Sequence, residues 1–115
     1  MQITERKTQD VVVLDLTGRL TIGEGADLLR DKVAGLVAQG HSKVVLNLAG
    51  VPYIDSGGLG ELVRCSMTAR KGNGAVKLIG VSGRVVDLLT ITKLITVFDT
   101  FDSEQEAISS FMAAV

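Results

Sequence analysis

The run Lys43-Val44-Val45-Leu46-Asn47-Leu48-Ala49-Gly50-Val51-Pro52-Tyr53-Ile54-Asp55-Ser56-Gly57-Gly58-Leu59-Gly60 decides how the rest of the chain is read. Lys43 to Leu48 is a short, nearly continuous apolar run, the pattern of a strand buried on both faces. Ala49 to Ser56 carries the only proline, Pro52, and reads as a loop. From Gly57 onward Leu59, Leu62, Val63 and Ser66/Met67 recur at helical spacing, and Gly72-Asn73-Gly74 ends the helix. A buried strand leading through a loop into an amphipathic helix is half of a βαβ unit.

The same alternation extends outward in both directions. Upstream, residues 2–7 form a weak strand and Val11-Val12-Val13-Leu14-Asp15-Leu16 a strong one, with Gln9-Asp10 as a tight turn between them. Ala26, Leu29, Val33 and Leu36/Val37 then mark a helix ending near Gly40, and Thr21 with Glu24 has capping-box spacing at its start. Downstream, Ala75 to Ile79 is a third buried strand. Val85, Val86, Leu88, Leu89 and Ile91 mark a helix, and Val97-Phe98 a short strand. Ser103 and Glu106 form a second capping box, opening a last helix through Ala107, Ile108, Phe111 and Met112. The order β-β-α-β-α-β-α-β-α predicts an α/β fold with a mostly parallel mixed sheet, the N-terminal strand antiparallel through its hairpin. The chain of 115 residues fits one domain, residues 1–115, with no linker or internal repeat.

Composition narrows the function. Net charge is −1, and no Lys/Arg-rich run is present, so a nucleic-acid or anionic-membrane surface is disfavoured. No run approaches the roughly 20 apolar residues that span a bilayer, and the first residues lack the apolar core of a signal peptide. A single cysteine, Cys65, forms no internal disulfide, and with one histidine, His41, no metal-ligand cluster is visible. The expectation is a cytoplasmic protein without metal or cofactor.

In parallel sheets function collects at the loops after the carboxyl ends of the strands. Two stretches lie there, Gly18 to Gly25 and Ala49 to Gly60. Ser56 stands where an N-cap belongs, and the N–H groups of Gly57, Gly58 and Leu59 follow it. On spacing alone Ser56 is a helix cap, with glycines that permit close packing. The same geometry also presents a hydroxyl to a kinase, and a phosphate there meets N–H donors and the positive end of a helix. Arg19 and Arg84 lie on segments that border this loop and can meet a phosphate or an acidic partner.

Hydrolase chemistry fits poorly. Ile54 occupies the position of the first glycine of a G-x-S-x-G elbow. His41 lies at the other end of the strand, about 20 Å from Ser56 at about 3.3 Å per residue, too far to act as a base. Gly72-Asn73-Gly74 lacks the Gly-Lys-Ser/Thr ending of a P-loop. Cys65 lies mid-helix and reads as packed. The chain is therefore expected not to be an enzyme.

Tyr53-Ile54-Asp55-Ser56-Gly57-Gly58-Leu59-Gly60 resembles the signature of anti-sigma factor antagonists in the STAS domain family. Leu16-Thr17-Gly18-Arg19-Leu20, Asn47-Leu48-Ala49-Gly50-Val51, and Leu88-Leu89 through Thr92 with Val97-Phe98 resemble further family segments, so the likeness covers nearly the whole chain. It implies a STAS-like βαβ superhelix with about five strands and four helices, the element order derived above. It also implies a partner switch. The unphosphorylated protein binds an anti-sigma factor that is also a serine kinase, which frees the sigma factor. Phosphorylation of Ser56 breaks the complex, and a serine phosphatase restores it. By this resemblance Ser56 is the phosphoacceptor, and Asp55, Ser56, Gly57, Gly58, Leu59, Gly60 and Thr21 form the contact surface of a monomer or weak dimer. Three positions depart from the family pattern. Gly57 stands where Ser or Thr is frequent, Thr21 where an acidic residue is frequent, and Lys93 where glycine is common. The alternatives are a STAS subunit of a lipid or anion transport assembly and a stressosome-like scaffold.

Overall fold

The β-branched runs become the sheet. In the computed structural model, which describes residues 1–112, β1 (Gln2–Thr8) turns through Gln9-Asp10 into β2 (Val11–Thr17). Both turn residues have positive φ, 51° and 73°, the hairpin geometry whose twist matches the flanking strands. β1 and β2 pair antiparallel from Gln2↔Thr17 to Thr8↔Val11. The chain continues through α1 (Ala26–Ala38), β3 (Lys43–Gly50), α2 (Ser56–Lys71), β4 (Ala75–Ile79), α3 (Gly83–Ile91), β5 (Asp99–Phe101) and α4 (Glu104–Met112). The strands β2 to β5 pair in parallel, and the spatial order β1-β2-β3-β4-β5 is the chain order.

Strand periodicity sorts the core onto two faces. Val12, Leu14, Leu16, Val44, Leu46, Leu48, Val76 and Leu78 meet Leu29, Val33, Leu36, Leu59, Leu62, Cys65, Val85 and Leu89 from α1, α2 and α3. The intervening residues Val11, Val13, Val45 and Ile79 form a smaller cluster under Ala107 of α4, with Phe101, Ile108 and Phe111 around it. Leu14 and Leu46 are fully buried and paired in register. Truncating either to Ala costs about 2–5 kcal/mol. Lys77 alternates onto the α4 face, where its ammonium donates to Ser110 Oγ at 2.6 Å and lies 4.3 Å from the Phe111 ring centroid.

Two local expectations are corrected. Thr21 and Glu24 do not cap α1: they close a tight turn, Thr21 N–H to Glu24 O at 2.7 Å and Glu24 N–H to Thr21 O at 3.1 Å. The helix begins later, after Gly25, which has no side-chain cap and a φ of 91°. The last strand is Asp99–Phe101 rather than Val97-Phe98, since Phe98 is buried against the helical layer without joining the ladder. His41 is half-buried, its Nε2 3.3 Å from Lys7 Nζ. At Ser103 the serine half of the box forms, Glu106 N–H donating to Ser103 Oγ at 3.1 Å, while the Glu106 carboxylate accepts from the Ser103 hydroxyl at 3.3 Å.

Candidate functional site

The loops after β2 and β3 are zipped together at the carboxyl ends of their strands. Gly18 N–H donates to Gly50 O at 3.0 Å, Leu20 N–H to Tyr53 O at 3.0 Å, and Asp55 N–H to Leu20 O at 3.3 Å. Leu20 and Ile54, both buried, anchor this zipper in the core. The segments 18–25 and 49–60 thereby become one surface at the start of α2.

The cap of α2 is Asp55, not Ser56. Asp55 has extended backbone, φ −97° and ψ −177°, and its Oδ1 accepts from Gly58 N–H at 2.7 Å. Leu59 N–H is taken by Asp55 O at 2.9 Å. Ser56 is thus the first helical residue. Its side chain is exposed and makes no hydrogen bond with the described residues. The fold therefore uses Asp55 to start the helix and leaves the Ser56 hydroxyl to solvent.

The remaining expected residues divide by depth. Gly58 and Leu59 are buried, Leu59 in the core and Gly58 against the Leu20 carbonyl, where a side chain has no room. Gly57 is half-buried, and Gly60 is exposed with open space where a Cβ would stand. Thr21 is half-buried in its turn, one residue before Ile22, whose side chain lies over Gly57. Arg19 reaches the loop from the other segment, its guanidinium 4.9 Å from the Tyr53 ring centroid. A cation over a tyrosine face is a favourable contact that orders both side chains.

A groove of about 570 Å³ runs beside Ser56, with Pro52, Tyr53, Ile54, Asp55 and Ser56 on one wall and residues of α3, Arg84 among them, on the other. Ile91, Ile22, Tyr53 and Val86 are exposed apolar side chains on these same segments, an arrangement suited to contact with another protein.

Sequence reasoning missed Glu61. This carboxylate is only 4% exposed, held between α1 and α2. Arg30 Nη1 lies 3.5 Å and Arg64 Nη1 3.7 Å from its Oε1. No signal in the sequence pairs Glu61 with Arg30 on another helix. Cys65 is packed beneath, its thiol 3.9 Å from Glu61 Oε2. Burial, with the neighbouring Glu61 charge, pushes that thiol up to about 12. A thiol so protonated is a packing group rather than a nucleophile. Among the described residues no group of His, Cys, Asp and Glu could hold a metal ion, and no helix is long and apolar enough to cross a membrane.

A five-stranded sheet in chain order, three helices on one face, one on the other, and an exposed serine opening the second helix define a STAS domain. The model of that family, the STAS domain, matches residues 2–107, and the chain belongs to it. The anti-sigma-B factor antagonist of Bacillus subtilis (strain 168) is 28% identical over 99 residues, 86% of this chain and 89% of that protein. The crystal structure of TM1081 from Thermotoga maritima superposes with a TM-score of 0.88 at 26% identity, covering 96% of this chain and 94% of that one. The anti-sigma factor antagonist SpoIIAA in its unphosphorylated form shares the fold, with a TM-score of 0.73 at 19% identity over 99% of this chain and 100% of that one.

Proposed function

We propose that this chain is an anti-sigma factor antagonist, a phosphorylation-gated binding module of the bacterial cytoplasm rather than an enzyme. With Ser56 unmodified it binds an anti-sigma factor that is also a serine kinase, and the sigma factor is released. The kinase moves the γ-phosphoryl of ATP to Ser56 Oγ, the hydroxyl proton leaves, ADP departs and the complex breaks. A serine phosphatase hydrolyses the ester and resets the switch.

The observation that carries this reading is the exposed Ser56 hydroxyl beside a helix cap supplied by another residue. A phosphate there costs the fold no capping bond, yet places roughly −1.5 to −2 charges on the surface formed by Tyr53, Asp55, Ile22 and Arg84. The naming of the Bacillus subtilis relative supports the same reading. The contact surface is assigned to Thr21, Asp55, Ser56, Gly57 and Gly60, with Gly58 and Leu59 acting from beneath. The protein works as a monomer or weak dimer.

The test is incubation with a candidate anti-sigma factor kinase and ATP, location of phosphate by mass spectrometry, and binding measured before and after, with Ser56→Ala as control. Phosphate on Ser56 alone, with binding lost on modification, is the expected result. Stable binding that is indifferent to Ser56 would instead place the chain with constitutive scaffolds.

A further inference from the structure

The groove beside Ser56 has charge on both walls. On the loop side stands Asp55, whose Oδ1 is committed to Gly58 N–H. On the α3 side stand Arg84 and Asp87, above an apolar lining of Ile54, Val85 and Leu88. Arg84 is exposed and, among the described residues, takes part in no ion pair. Its helix is fixed. Ser82 Oγ accepts from Val85 N–H at 3.3 Å, and Val85 and Leu89 are buried in the core. The guanidinium is thus an uncommitted cation on a rigid wall, facing a groove whose other wall carries a free hydroxyl.

A phosphate on Ser56 changes the balance across this groove. Asp55 and Asp87 both repel it. Arg19 is stacked on Tyr53, and Arg30 and Arg64, beside Gly57 and Gly60, are paired with Glu61. Arg84 presents a planar fork of donors that matches two phosphate oxygens. We propose that Arg84 receives the phosphate carried by Ser56, and that the pair closes the groove between the loop and α3. This rests on the reading of Ser56 as the phosphoacceptor. Modification then acts twice: it adds negative charge, and it withdraws the apolar groove and its cation from a partner that used them.

The test installs phosphoserine at position 56 during translation, so that no kinase is needed, and follows the phosphate by ³¹P NMR titration. A free phosphoserine loses its second proton near pH 6. An adjacent guanidinium favours the dianion, so the wild-type midpoint falls below that of Arg84→Gln by about half a unit or more. Arg84→Lys lies between them, and the amides of α3 shift on phosphorylation only when Arg84 is present. Superimposable titrations for wild type and Arg84→Gln overturn the proposal, as does a midpoint that responds to Arg19→Gln and not to Arg84→Gln. Arg84 is exposed and, among the described residues, has no ion pair to lose, so its variants are expected to fold. The two readings fail separately: a kinase that leaves Ser56 untouched sinks the phosphoacceptor, while an unmoved midpoint on installed phosphoserine sinks only the role of Arg84.

Discussion

A Cβ added to Gly57 would lie 2.6 Å from Cβ of Ile22. The two loops approach so closely here that one residue must lack a side chain for the other to lie over it. The family pattern often has Ser or Thr at this position, and in this chain Ile22 fills that space instead. Gly57→Ser is therefore expected to push Ile22 aside and lower stability by about 1–3 kcal/mol, the usual cost of overpacking. Because the obstacle is the Cβ of Ile22, which alanine keeps, Gly57→Ser should cost much less in an Ile22→Gly background. Urea denaturation of the two single variants and the double variant checks this, and simple additivity would show that the contact does not matter. Gly58→Ala should be worse than Gly57→Ala and should not be rescued by Ile22→Gly, because its obstacle is the Leu20 main-chain carbonyl.

Asp55 and Ser56 should separate cleanly under mutation. Asp55→Ala removes the acceptor for Gly58 N–H and should cost about 1 kcal/mol, whereas Asp55→Asn retains most of the cap. Ser56→Ala removes no bond and should leave the denaturation midpoint within about 0.5 kcal/mol of wild type. If Ser56→Ala were the more damaging of the two, the assignment of the cap would be wrong.

Acid should weaken the β1–β2 end of the sheet through Asp15. Arg6 donates to both of its oxygens, at 2.6 and 3.0 Å, and Asn47 Nδ2 donates at 2.9 Å. The Arg6 bonds, and then that of Asn47, hold the Asp15 carboxyl below its ordinary value of 3.8. Glu5 is lowered similarly by Lys32. A carboxyl depressed in the folded state stabilises fully above its unfolded pKa, and that stabilisation is lost as pH falls through the folded pKa. Stability should therefore decline from about pH 4 downward. Asp15→Asn should lie below wild type at neutral pH and converge with it as pH falls through the lowered Asp15 value. Urea midpoints across that range test the claim, and parallel curves would refute it. Glu5→Gln added to Asp15→Asn should flatten the remaining slope.

The sheet was legible because β2, β3 and β4 are largely buried on both faces, so each is written as a nearly continuous apolar run, broken inside by Asp15, Asn47 and Lys77. The hairpin turn, α2 and the Ser103 cap followed from local chemistry that the tertiary structure reinforces. The misreadings share one cause. Asp55 and Ser56 are both good caps and sit side by side. Only the zipper to Leu20, which holds Asp55 extended, selects between them. Thr21 and Glu24 have capping-box spacing but lie in a turn shaped by the same zipper. Phe98 is buried, yet burial alone does not make a strand: the ladder needs a free edge of β4, and the polar residues Asp99 and Thr100 reach it. Glu61 needed a partner on another helix, and pairings across 31 residues leave no trace in a local pattern.

The strands stand in space in the order in which they are synthesised. A chain leaving the ribosome thus has the hairpin of β1 and β2 complete before β3 emerges. Each later strand then meets an edge that is already formed, with its crossover helix delivered just ahead of it. No strand has to insert between two others, so growth of the sheet does not wait for the end of the chain. Because the paired loops after β2 and β3 lie within residues 18–60, they come together about halfway through synthesis, before the α3 wall of the groove is made. Nascent chains halted after α2 should already carry the paired loops that a partner would touch.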